Sequence, residues 1–147
     1  MELSSPAFQN EGQIPDTYTC HGQGISPPLN INNIPPTTQS LVLVVTDPDA
    51  PSGEFTHWTV WNMSGTTSVI KENSIPSGAT QGLNDFKKMG YGAPCPPTGT
   101  HRYFFTLYAL NTQLSLEEGA HAYALTANLE GHVVAKAQLI GTCAANK

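Results

Sequence analysis

At 147 residues with 12% charged side chains, against roughly a quarter in an average soluble protein, the chain can bury a substantial core and is sparing with charge. Its net charge of −5, with six Lys and Arg and Arg102 as the sole arginine, excludes a nucleic-acid binder, which needs a clustered basic surface. The N-terminal MELSSPAFQN lacks a leader's basic and apolar regions, and no apolar run reaches about 18 residues; we expect a cytoplasmic chain without integral membrane contact. Cys20, Cys95 and Cys143 are widely spaced with no CxxC pair, which reads as three reduced thiols and neither a disulfide framework nor a zinc ribbon.

Residues 1 to 28 are rich in Gly and Pro turns, with short strands expected at Met1 to Ser5 and Leu29 to Ile31. Ser40 to Thr46 (SLVLVVT) is an unbroken β-branched, apolar run and reads as a central strand. It stops at Asp47-Pro48-Asp49-Ala50-Pro51, whose prolines exclude helix and ladder alike. Thr56 to Met63 resumes strand character, and Ser68 to Lys71 suits a short edge strand. Gly78 to Phe86 reads as loop, and Gly90 to Gly99 (GYGAPCPPTG) is too rich in Gly and Pro for regular structure.

That loop feeds directly into Arg102 to Leu110, an aromatic and apolar run fit for a core strand. Only Ser115 to Leu129 has helical character, with Ser115 and Glu118 spaced as a capping box and Gly131 as the stop. Gly119 weakens the first turn, so ordered helix is expected from near Ala120. Val133 to Thr142 returns to strand, with a bulge expected at Gly141. Six to nine consecutive strands with one clear helix argue against βαβ units and for one mainly β domain over residues 1–147: an antiparallel β-sandwich with one or two short peripheral helices near the C-terminus.

Few side chains stand where chemistry needs them. Asp47 and Asp49 leave a buried strand at a stiff turn, where a carboxylate can orient an imidazole or bond its own backbone. His57 and His101 each open a strand beside an aromatic residue, and imidazoles near neutrality can donate to phosphate or carboxylate. Glycine N–H groups of the 90–94 loop could add a small anion nest. No metal is expected, since Asp47, His57 and His101 lack the close ligand spacing of a metal site. No cofactor is expected, and no catalytic residue is assigned. Cys95 between two prolines has no helix N-terminus to activate it, although His57 and Asp47 leave weak hydrolysis open as a general-base pair. Trp58 and Trp61 read mainly as core, with one of them a candidate for exposure at a dimer contact.

In order along the chain, ISPPL at 25–29, DPDAP at 47–51, His57-Trp58 with Trp61-Asn62-Met63, NDF at 84–86, GYGAPCPPTGTHRYFFTLYAL at 90–110 and EGHVVAKAQLIGT at 130–142 resemble the phosphatidylethanolamine-binding protein family, in its bacterial and archaeal Raf-kinase-inhibitor-like branch. The resemblance covers nearly the whole chain. It implies a central antiparallel sheet packed on a second sheet, and a small cavity for phosphate or a phospholipid head group. By motif it implies ligand-binding roles for Asp47, His57, Ala93, Pro94, His101 and Tyr103, and a cis peptide between Ala50 and Pro51. Ala93 stands where the family usually has glycine. The expected activity is thus small-anion binding in a regulatory or scaffolding module. The alternative is a protease or kinase inhibitor acting through the cavity rim, with a homodimer also allowed.

Overall fold

β-branched and aromatic runs bounded by proline turns have only sheets to enter. The computed structural model describes residues 1–145, over which the chain forms β1 (Glu2–Ser4), β2 (Gly12–Gln13), a 3-10 turn (Asp16–Tyr18), β3 (Leu29–Asn32), β4 (Ser40–Asp47), β5 (Phe55–Ser64), β6 (Val69–Ile70), β7 (Thr80–Gln81), β8 (Thr100–Leu110), α1 (Ala122–Leu129) and β9 (Val133–Ala144). Two sheets result, one ordered β1-β3-β6 and one ordered β2-β9-β8-β4-β5-β7. Among the described residues, all pairings between these strands are antiparallel except the short β2–β9 contact. The sandwich and its single peripheral helix agree with the sequence reading.

The apolar run of β4 is continuous because both its faces are covered. Leu41, Leu43 and Val45 join Phe105, Leu107 and Leu139 against Leu3, Leu29, Ile31 and Ile70 of the small sheet. Val42 points the other way, with Trp61 and Leu110, onto Leu125 and Leu129 of α1. Fully burying each such side chain stabilises by about 1.5–3 kcal/mol. Trp58 and Trp61 are both buried, so neither supplies the exposed indole that a dimer contact would need.

β5 is irregular in two places. Pairing with β4 runs Val45 to Trp58 and then Thr46 to Thr56, which leaves His57 as an extra residue. Further on, Leu41 faces Met63 and Leu43 faces Val60, so Trp61 and Asn62 both stand opposite Val42. Asn62 has φ of 56°, a left-handed conformation that Asn tolerates better than most residues. Each is a β-bulge, which re-aims the side chains around it.

Several local expectations change. The helix begins at Ala122, and no side-chain cap bond is made. Gly119 turns left-handed (φ 83°), and the preceding stretch is drawn onto the sheet instead of coiling. Asn62 brackets Leu114 with two bonds of 2.8 Å, and Trp61 Nε1 donates to the Leu116 carbonyl at 3.2 Å. Gly141 is not at a bulge: it pairs in register with Tyr103, and a Cβ there would stand 2.5 Å from Ile14 Cγ1. Its bare backbone makes room for Ile14 and Phe8. Thr80 and Gln81, read as loop, form an edge strand too short to show a period.

The Ala50–Pro51 peptide is trans, like every other among the described residues. The turn closes by hydrogen bonding instead, Asp47 Oδ1 accepting the Asp49 N–H at 2.8 Å and the Ala50 carbonyl accepting the Gly53 N–H at 3.0 Å. Nor are all three thiols reduced. Cys20 and Cys95, 75 residues apart in sequence, have Cα atoms 5.3 Å apart and form a disulfide, while Cys143 is a buried thiol. Folding creates that proximity, of which the cysteine spacing carries no sign. Among the described residues no helix is long and apolar enough to cross a membrane.

Candidate functional site

One end of the large sheet carries the polar groups that the core cannot accept. Asp47 ends β4, His101 and Tyr103 begin β8, and the extra residue of the first β5 bulge is His57. All four line one cavity of about 240 Å³. His57 shares the cavity side with Phe55 by ordinary alternation, and the bulge, by leaving it unpaired, sets Trp58 opposite Val45 on that same face.

Asp47 is nearly fully buried, and each of its oxygens is engaged. Oδ1 accepts the Asp49 backbone N–H, while Oδ2 lies 2.6 Å from His101 Nδ1. Turn-making and imidazole-orienting, weighed above as alternatives, are thus performed by different oxygens of one carboxylate. Since a carboxylate accepts, His101 donates through Nδ1–H, and its Nε2 is left for the cavity. His57 is fixed in the same sense, its Nδ1–H donating to the Gly92 carbonyl at 2.7 Å. Burial lowers the His57 pKa below its ordinary value, with the Gly92 carbonyl and the Asp47 and Asp85 charges opposing only in part. Its ring is accordingly neutral at pH 7. Burial and the Asp47 charge hold the Tyr103 phenol well above its usual range, so it remains an O–H donor.

Around this polar floor the walls are apolar. Phe55 and Phe86 meet edge-on at 4.7 Å between centroids, and both pack on His57. Tyr103 packs on the same imidazole from another side, 5.2 Å away. Ala50, Pro51, Ser52, Cys95, Pro96 and Pro97 complete the lining. Phe55 and Phe86 escaped the sequence reading, as did the disulfide; the phenylalanine of NDF, beside a motif already singled out, was the available signal for one of them.

The loop contributes differently from the expectation. Ala93 lines a neighbouring hollow of about 530 Å³ with Cys20, Phe86 and Lys88, not the cavity itself. Pro94 is buried and offers its carbonyl to the Cys20 N–H at 3.0 Å. The wall facing Asp47 comes two residues later, at Cys95-Pro96-Pro97. No glycine nest forms either, because Gly90 N–H donates to the Gly82 carbonyl and Gly92 N–H to the His57 carbonyl. Asp49 turns outward and binds Arg102 through both oxygens, at 2.8 and 2.9 Å, and this partner lowers its pKa to about 2. No group of three or more metal-ligating side chains occurs among the described residues.

The molecule so described is a two-sheet β protein with an end cavity in which an aspartate-anchored histidine, a second histidine and a tyrosine meet under an aromatic wall. The phosphatidylethanolamine-binding protein family model matches residues 4–144, and the chain belongs to that family. The UPF0098 protein of Methanothermobacter thermautotrophicus is 47% identical over 146 residues, covering 96% of this chain and 97% of the relative. That of Chlamydia trachomatis is 44% identical over 147 residues, covering 97% of each. Among solved structures, the family homolog CT736 of Chlamydia trachomatis superposes with a TM-score of 0.94 at 43% identity, over 99% of this chain and 97% of that one. Escherichia coli YbcL superposes with a TM-score of 0.92 at 28% identity, over 99% and 98% of the two chains.

Proposed function

We propose that the chain is a non-catalytic binding module whose end cavity takes a small oxyanion, inorganic phosphate or the phosphate head of an ester. The observation that carries this reading is the Asp47–His101 pair beside His57: two imidazoles with Nδ1 already committed and Nε2 left for the cavity. An anion between them gains charge-assisted hydrogen bonds once a ring takes up a proton. Neutral His57 must acquire that proton on binding, so affinity rises as pH falls through the histidine range. Hydrolysis by a His57–Asp47 general-base pair finds little support, because Asp47 Oδ2 bonds His101 and His57 Nδ1 bonds the Gly92 carbonyl instead. The Cys20–Cys95 disulfide fits an oxidising compartment better than the cytoplasm expected from the sequence.

Titrating phosphate or O-phosphorylethanolamine while following histidine NMR signals tests the reading. His57 and His101 should shift saturably, and more tightly at pH 6 than at pH 8, with His132 as a distant internal control. Unmoved His57 and His101 resonances at millimolar ligand would sink it.

A further inference from the structure

We propose that Cys20–Cys95 is a reversible thiol–disulfide latch on the cavity wall, opened by a dithiol, and that its state sets how firmly the cavity holds an anion. The affinity half of this rests on the binding function proposed above.

The first support is position. Cys95 lines the anion cavity, and both cysteines line the neighbouring hollow, with Phe86 between the two spaces. Both cysteine residues are exposed, so an external thiolate can approach them. A disulfide serving only the core would be expected inside it.

The second is the loop's poverty in other restraints. Pro94, Pro96 and Pro97 have no N–H to donate. Backbone bonds hold the loop at its ends, Gly92 N–H to His57 O at 2.7 Å and Ala145 N–H to Gly99 O at 2.8 Å. Between them stands the bond from Cys20 N–H to Pro94 O, which belongs to the same Cys20 contact as the disulfide. Among the described residues, cutting the S–S bond leaves that one backbone hydrogen bond, with the packing of buried Pro94 and Pro96, to keep Cys95-Pro96-Pro97 against the cavity. The effect reaches the polar floor as well, because the Gly92 carbonyl at the loop's start fixes the His57 ring.

The chemistry is ordinary exchange. A dithiol's thiolate attacks one sulfur, forming a mixed disulfide and releasing the other cysteine as thiolate, which takes up a proton. The dithiol's second thiolate then displaces the remaining cysteine. Two electrons pass from dithiol to protein, which ends with two thiols while the reductant ends as its disulfide. Lys88 lines the same hollow, and a cation there favours the departing thiolate.

The test uses the full oxidised chain and a graded dithiothreitol series. Thiol labelling counts opened bonds, tryptophan fluorescence checks the fold, and amide exchange follows residues 92–99. Phosphate affinity is measured in parallel on the reduced chain, the reoxidised chain and the C20S/C95S double variant. Reduction should proceed without denaturant, speed exchange at 92–99 and weaken phosphate binding by roughly tenfold, as when the competent wall is in place about a tenth of the time. Reoxidation should restore it, and the double variant should match the reduced form. Equal phosphate affinity in both redox states overturns the proposal, as does a bond that resists dithiol in the folded chain. Global unfolding on reduction also overturns it, by making the bond a structural staple. If the oxidised chain takes no phosphate at all, the binding function fails, while amide exchange still decides whether the loop is latched.

Discussion

Gly92 allows a sharp test of how the cavity wall is assembled. Its N–H and C=O both bond His57, each at 2.7 Å, so its backbone cannot move away from a new side chain. A methyl in Gly92→Ala would stand 2.6 Å from Phe86 Cε2 and closer still to Cδ2, so the ring must retreat by about 1 Å to reach ordinary contact. Phe86 is 44% exposed and can swing outward. In doing so it loses its edge contacts to Phe55 at 4.7 Å and to His57 at 5.4 Å. At about 0.5–1.5 kcal/mol for each aromatic pair, the substitution should cost about 1–3 kcal/mol. Phe86→Ala forfeits the same contacts, and in its background the new methyl meets no ring, only Asn84 Nδ2 at 3.2 Å, which must give by a few tenths of an ångström. The double variant should therefore be about as stable as Phe86→Ala alone, a coupling equal to the Gly92→Ala loss, about 1–3 kcal/mol. Urea unfolding followed by the fluorescence of buried Trp58 and Trp61 measures all four corners of the cycle. Losses that add to within about 0.3–0.5 kcal/mol would refute the reasoning and place the need for glycine in the backbone.

His57 and Gly141 give two further outcomes. Burial holds the folded-state pKa of His57 below its ordinary 6.5, so the unfolded chain takes up the proton more readily. The resulting stability is complete above pH 6.5 and declines as pH falls below it; urea midpoints should drop on acidification, and drop less in His57→Gln. Gly141→Ala inserts a methyl against Ile14 and Phe8, both buried, and overpacking of this kind should cost about 1–3 kcal/mol in urea unfolding.

What could be read from the sequence depended on how far each signal was local. β4 and β8 were legible because each is apolar on both faces, and their bounding turns carry Pro and Gly. Asp47, His57, His101 and Tyr103 came through as a set by family resemblance, since no local rule relates a strand's end to histidines ten and fifty-four positions further on. Ordered helix, expected from near Ala120, begins at Ala122, while the capping pattern of Ser115 and Glu118 opens no helical turn. Asn62, more than fifty residues earlier, instead holds that segment extended. The disulfide stayed hidden for a like reason: only the finished sandwich brings residue 20 to residue 95. Ala93 and Pro94 were expected on the cavity because the loop's rigidity was visible, whereas its facing was not.

The two bulges of β5 have a consequence for how this strand can change over time. Phe55 and Met63, both odd-numbered, look toward the same side, as do Asp47 and Leu41 opposite them. Between the bulges the parity is inverted, with even-numbered Trp58 and Val60 on that side and Trp61 turned to α1. The first irregularity puts the strand out of step and the second restores it. A lone insertion or deletion in 57–62 would send one end of β5 through the wrong face, exchanging cavity for solvent or core for helix. A compensating pair would leave both ends as they are. Length variation in this stretch is therefore tolerable only in cancelling steps, and the position of His57 is inherited together with that of Asn62.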